Sequence, residues 1–310
     1  MRWLAALAMR GRFFAATTAA LLVAIGWKLA LLMPLLSCLS GAVVALVTLR
    51  HGSSEGLLVT GMAAAMMAVF ATLTFQSPWP AMWVAAGVWL PALICALVLR
   101  RWRSQGMLLA TASTLAAMFA GALRWYTGDV KAWWRGILDN MVSVASEHGS
   151  APDVTPAALD LASSLLNSLV AASMMVTLML TVLLARLWQA QLYNPGGFAP
   201  EFRALRLPQL ASLIAIGIVL AAIVLKRWQA GADGSFGYAA DLFAIGVCAL
   251  GFHGLAWVHR ERLQRRLPVG LLVVVYIALL ALPFYAVMLL AAIAFADLIL
   301  SFAFRRQSGG

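Results

Sequence analysis

The 310-residue sequence predicts an all-α fold, a polytopic transmembrane helical bundle of about ten spans forming a single integral membrane domain over 1–310. Three observations predict it. Hydrophobic residues make up 64% of the chain and charged residues only 11%, and the mean hydropathy is +0.93. A soluble domain carries roughly a quarter charged residues, so this chain lacks the polar surface to cover a water-facing core. Apolar runs long enough to cross hydrocarbon recur along the sequence, and the basic residues fall in short clusters between them.

Taken in order, Trp3 to Met9 predicts a short interfacial helix. Arg10 and Arg12 interrupt the apolar core that a cleavable signal would need. The apolar runs follow at 13–27, 30–49, 56–75, 80–99, 107–123, 162–185, 209–225, 238–258, 269–282 and 284–304. Lys28 and Pro34 divide the first pair, and Pro283 divides the last. Each pair read as one straight helix would be about 50 Å long, well beyond the bilayer core. If the short runs re-enter the membrane instead of spanning it, the count falls to about eight or nine.

Charge sets the orientation. With the N-terminus in the cytoplasm, the inner side collects Arg2, Arg10, Arg12, Arg50, the 100–103 cluster, Arg186, Arg203, Arg206, the 260–266 cluster, Arg305 and Arg306. The outer side keeps only Lys28, Arg124, Lys131, Arg135, Lys226 and Arg227 of the 22 Lys and Arg. This bias predicts a bacterial inner-membrane protein with both termini cytoplasmic. Asp129, Asp139, Glu147, Asp153, Asp160 and Asp233 fall outside.

Two loops exceed what a connector needs. The outer one, 124–161, places Val130, Trp133, Trp134, Ile137, Leu138, Met141 and Val142 at helical spacing, which predicts an amphipathic helix lying on the membrane surface or a lid over an outward cavity. The cytoplasmic one, 186–208, turns at Asn194-Pro195-Gly196-Gly197. It carries Phe198, Phe202, Arg203 and Arg206, an anchor for anionic lipid or a docking surface for a partner.

Three segments, LSCLSGAVVALVTLRHG (36–52), LYNPGGFAPEFRALRLP (192–208) and IAFADLILSFAFRR (293–306), resemble the YybS-like family of uncharacterised bacterial inner-membrane proteins. The resemblance implies a fold related to the substrate-binding subunits of energy-coupling-factor vitamin transporters, which have fewer spans than are counted here. In the last segment Asp297 matches an acid of the family pattern, while Ser301 stands where a second acid would follow. In those transporter subunits a small-residue pattern in the first span meets the membrane coupling subunit. Here Ala15 with Ala19, and Ala16 with Ala20, form such pairs.

Ionisable groups inside a span are the default candidates for function, because a charge at mid-bilayer costs at least ~2.5–3.5 kcal/mol. His253 and Asp297 both fall in the cytoplasmic half of their spans and form a ligand or proton-path pair, or a structural hydrogen bond. Asp241 begins its span on the outer side, where water is expected to reach it. Ser173, Thr177 and Thr181 repeat every four residues in the sixth run, and Thr111, Ser113 and Thr114 cluster in the fifth. These polar residues either join helices or line a cavity rimmed by Trp79, Trp83, Trp125 and Trp133.

Neither HExxH nor GxxxxGK[ST] occurs, and no carboxylates cluster with ligand spacing. Cys38, Cys95 and Cys248 are widely spaced within apolar runs and predict neither a disulfide framework nor a metal site. The sequence therefore predicts a non-enzymatic membrane protein without cofactor or metal. It is either a transport or substrate-binding subunit for a small molecule that the sequence does not identify, or a protein acting through partners in envelope or membrane biogenesis. Its partners are the lipid bilayer and a membrane coupling or envelope protein. The clustering of its basic residues fits topology rather than nucleic acid.

Overall fold

A backbone in hydrocarbon must satisfy its own hydrogen bonds. In the computed structural model, which describes residues 2–149, 154–228 and 237–307, every regular element is helical. The order is α1 (Arg2–Ala8), α2 (Arg12–Lys28), a 3-10 turn (Ala30–Leu32), α3 (Met33–His51), α4 (Ser53–Phe75), α5 (Trp79–Val84), a π turn (Ala85–Trp89), α6 (Leu90–Trp102) and α7 (Gln105–Thr127). Then come α8 (Val130–Glu147), α9 (Pro156–Tyr193), α10 (Phe198–Arg203), α11 (Gln209–Trp228), α12 (Gly237–Gln264), α13 (Gly270–Ala281) and α14 (Pro283–Gln307). Asp153 and Asp233, assigned above to the outer loops, lie outside the described residues.

All ten apolar runs of the sequence lie on helices. Among the described residues, seven helical stretches are long and apolar enough to cross a membrane: Ala30–His51, Ser53–Phe75, Trp79–Trp102, Gln105–Thr127, Pro156–Tyr193, Gly237–Gln264 and Pro283–Ser301. The chain is thus a multi-pass membrane protein by the length and composition of its helices. The expected ten exceeds this number because some apolar helices are short. With 12 residues, α13 extends about 18 Å, against a hydrocarbon core of about 30 Å.

The loop boundaries also move. At 38 residues, or about 57 Å, α9 takes in both the end of the expected 124–161 loop and the start of the 186–208 loop. Its first residue is Pro156, whose missing N–H is not needed there, and Thr155 Oγ1 accepts from Ala158 N. It stops where Pro195 and the glycines of the turn end the ladder, with Asn194 N donating to Ala190 O.

Contacts divide the chain into two compact units. The first is Met1–Ala112, Val176–Pro208 and His259–Arg266. The second is Ser113–Met175, Gln209–Val258 and Leu267–Gly310.

In the first unit α2 packs on α3 and α4 through small residues. Ala15, Ala16 and Ala19 are completely buried, and Ser40 Oγ of α3 donates to Ala19 O at 2.7 Å. The alanine pairs expected to face a coupling partner are therefore consumed inside the chain: small side chains let α2 and α3 approach closely, and α3 fills the notch. Trp89 Nε1 donates in turn to Ser40 Oγ at 2.8 Å, completing a buried chain of donors from the π turn through α3 to α2. Trp89 ends the π turn that precedes Pro91. Proline has no N–H for the carbonyl four residues back, and the ladder widens just before it, with Leu90 N donating to Ala85 O. Serine 40 bridges two buried groups, so Ser40→Ala should orphan the Trp89 donor. A loss of about 1–3 kcal/mol is expected, read from the thermal midpoint of purified protein, and Ser40→Thr should retain most of it.

In the second unit α13 ends at its cap residue Leu282, Pro283 begins α14, and the two helices are in contact. Gly251 and Gly254 of α12 face α14. A Cβ built on Gly251 would lie 3.1 Å from Val287 Cγ1, whereas one built on Gly254 would overlap Leu290 O and lie 2.7 Å from its carbonyl carbon. The two backbones are in contact at Gly254.

The expected surface helix is α8. Asp129 caps it by accepting from Ala132 N at 3.0 Å. Trp133 and Trp134 meet edge to face with ring centroids 4.7 Å apart. Lys131 pairs with Asp160 at 2.9 Å, and Arg135 Nη1 donates to Pro156 O at 3.3 Å, so α8 is tied to the start of α9.

Candidate functional site

Within the second unit, three helices that qualify as spans converge on one carboxylate. Asp241 lies one turn into α12 and is completely buried. Its Oδ2 accepts from Arg124 Nε of α7 at 2.6 Å and from Asn167 Nδ2 of α9 at 2.6 Å. Its Oδ1 accepts from Ser168 Oγ, also at 2.6 Å. Arg124 Nη2 donates to Gly237 O at 2.9 Å, and Tyr238 Oη donates to Ala117 O at 2.8 Å. Position explains these roles. Arg124 is in the last turn of α7, where its charge opposes the partial charge of that helix end, and Asp241 lies one turn into α12. Asn167 and Ser168 are adjacent on α9 and reach both carboxylate oxygens.

The expectation that Asp241 is wet is overturned. Placed at a helix start it reads as an interfacial residue, but α7 and α9 cover it and supply a cation and two neutral donors. The Arg124 side chain remains about a quarter exposed, at 24%. The Oδ1 of Asn167 is buried with no hydrogen-bond partner among the described residues. The centre therefore presents a partly accessible cation and an unused acceptor around a fully engaged carboxylate. Arg124, Asn167 and Ser168 were not singled out from the sequence. An Asn-Ser pair inside an otherwise apolar run, with opposite charges one turn inside two other runs, was the available signal.

A second polar pair shares α12. His253 is completely buried, and its Nε2 lies 3.3 Å from Asp297 Oδ2 of α14. Twelve residues separate it from Asp241, about 18 Å along the helix. Gly254 allows the close approach that brings His253 and Asp297 together.

The other sequence candidates differ in burial and in partner. Ser173 is exposed and donates to Val170 O, Thr177 is half-buried, and Thr181 is buried and donates to Cys38 Sγ at 3.3 Å. A four-residue repeat rotates about 40° per step on a helix, so the stripe drifts off one face. Thr111 donates to Met107 O, and Thr114 is exposed. Of the four tryptophans expected at a rim, Trp79 and Trp83 belong to the first unit, and Trp125 and Trp133 to the second. Trp83 lines an apolar groove of about 510 Å³ with Trp27, Phe75 and Val88. Among the described residues no group of three or more His, Cys, Asp or Glu side chains is placed to hold a metal ion.

The 186–208 segment is folded back on the first unit. Arg186 pairs with Glu201 through one guanidinium edge, Nε donating to Oε2 and Nη2 to Oε1. Phe198 stacks on Phe202 at 6.1 Å, Phe202 meets His259 edge-on at 5.4 Å, and Arg203 O accepts from Arg260. Arg206 is exposed, and its carbonyl lies against Gly106, where a Cβ would overlap it. Phe198, Phe202 and Arg203 are thus half-buried parts of a clasp, leaving Arg206 and the 193–196 turn facing outward.

No family model matches the chain. No match was found among curated proteins or solved structures either.

Proposed function

We propose that this protein is a substrate-binding or transport subunit of the bacterial inner membrane, and that its small-molecule site is the Asp241 centre. The observation that carries this reading is the burial of an ion pair and two neutral donors among three membrane-crossing helices. Ionisable groups held inside spans are costly and characteristically mark ligand or ion pathways. A purely structural joint would use up its polar atoms, yet Arg124 stays partly accessible and Asn167 Oδ1 is unused. His253 and Asp297, further along the same helix, are the proton-path candidates of this proposal.

Orientation and span number belong to the same proposal. Adding α2, α11 and α13 to the seven long helices gives ten crossings and puts both termini in the cytoplasm with most of the arginines. Membership of the YybS-like family rests on the three segments named above. A second reading, action through an envelope or membrane partner, is favoured by the exposed Tyr193–Gly196 turn beside the 198–206 clasp.

A metabolite screen by thermal stability tests the first reading. A ligand at a hundred times its dissociation constant should stabilise the wild type by about 2.7 kcal/mol. The same ligand should give no shift in Arg124→Gln provided that variant remains folded. A broad screen without any stabilising compound, together with a partner that co-purifies with wild type and is lost from a 193–196 variant, would transfer the function to the second reading.

A further inference from the structure

Charge in the first unit is unevenly matched. Its only carboxylates are Glu55, Glu201 and Glu261. Each is already paired: Arg12 with Glu55, Arg186 with Glu201, and Arg265 with Glu261 at 2.7 Å. No acidic side chain of this unit is left for the arginines at the end of α3 and α6. Two of those arginines, Arg50 and Arg100, are held by specific contacts. Arg100 Nη1 donates to Leu49 O at 2.9 Å and approaches Thr48 O, capping the end of α3. Arg50, the next residue along α3, lies over the Tyr193 ring with 4.3 Å between guanidinium carbon and centroid. Arg103 follows α6 with a φ of 49°, Arg101 lies 5.9 Å from the Trp102 ring centre, and Trp102 and Tyr193 are exposed at 61% and 45%.

From this cluster we infer a binding site for the phosphate headgroup of an anionic phospholipid, formed by Arg50, Arg100 and Arg103 with Trp102 and Tyr193. The site sits at the ends of apolar helices, where headgroups lie and where tryptophan and tyrosine rings are at home. Arg50 is held in place by the aromatic ring, so its guanidinium is oriented before a lipid arrives. Arginine offers a planar fork of donors that matches phosphate oxygens. The absence of an unpaired carboxylate in the unit makes an anion the complementary occupant. This inference is independent of the Asp241 centre and holds whether or not that centre binds a substrate.

The test compares wild type, Arg50→Gln/Arg103→Gln and Arg2→Gln/Arg10→Gln in nanodiscs of neutral phosphatidylcholine, with and without phosphatidylglycerol, at fixed ionic strength. Thermal midpoints and lipids retained in native mass spectra are recorded. Wild type and the Arg2/Arg10 variant should gain stability from phosphatidylglycerol and retain it. The Arg50/Arg103 variant, with an unchanged midpoint in neutral lipid, should bind it about thirty-fold more weakly, about fivefold for each cation removed. Equal loss in both variants would reduce the effect to general surface charge and overturn the site. So would an equal stability gain in neutral nanodiscs from inorganic phosphate, or from a poly-glutamate peptide, which would mark a free-anion or a protein site.

Discussion

Asp241→Ala is expected to destabilise the protein by about 3 kcal/mol, near the low end of the cost of breaking a buried ion pair because Arg124 keeps some access to water. Three side chains lose their acceptor at once: Arg124 Nε, Asn167 Nδ2 and Ser168 Oγ. Asp241→Asn should cost less, because an amide oxygen still accepts, although the positive charge then stands alone. The double variant Arg124→Met/Asp241→Leu should regain much of the loss, since removing both charges takes away the desolvation penalty along with the attraction. Chemical denaturation of purified protein gives these differences. They also separate the two roles of the centre. If the double variant regains stability and still binds the stabilising compound of the wild type, the ion pair is a structural joint and the proposed site is wrong.

The second large effect is expected at Gly254. A methyl group there cannot be accommodated by rotating a neighbour, because the atoms it meets are the Leu290 backbone. The helices have to separate, and Gly254→Ala should cost at the upper end of the about 1–3 kcal/mol typical of overpacking. Gly246→Ala in the same helix, where a Cβ meets nothing, should instead be neutral or slightly stabilising through helix propensity. A midpoint that falls equally in both variants would show that helix propensity rather than the α12–α14 contact governs this region. Separation at Gly254 should also carry His253 away from Asp297, so any activity that depends on that pair should fall more steeply in Gly254→Ala than in Gly246→Ala.

Much of the helical architecture was legible in the sequence. Apolar runs mark where helices form because hydrocarbon leaves the backbone no other hydrogen-bond partners. Punctuation was legible too: Pro283 separates α13 from α14, and the 194–197 turn ends α9. The amphipathic spacing of 130–142 gave α8. Helix length was less legible, because polarity marks where a run leaves lipid and not where the ladder stops. That is why α9 continues well past both ends of its apolar core.

The sites divide in the same way. His253 and Asp297 were readable as a pair because each is an isolated ionisable residue in an apolar run. Asp241 was misread because a one-dimensional pattern places a residue along the membrane normal but cannot say which neighbours surround it. Arg124 looked like one more loop cation, and Asn167 like an ordinary polar residue.

Composition and periodicity alone determined that this chain is helical and suited to lipid, since both follow from the solvation of each segment taken separately. Only the tertiary structure decided that Asp241 is dry and ion-paired, that the first-span alanines are spent on α3, and that every carboxylate of the first unit is already matched. Those facts depend on which helices touch, and contacts between residues far apart in the chain leave no local trace in the order of amino acids.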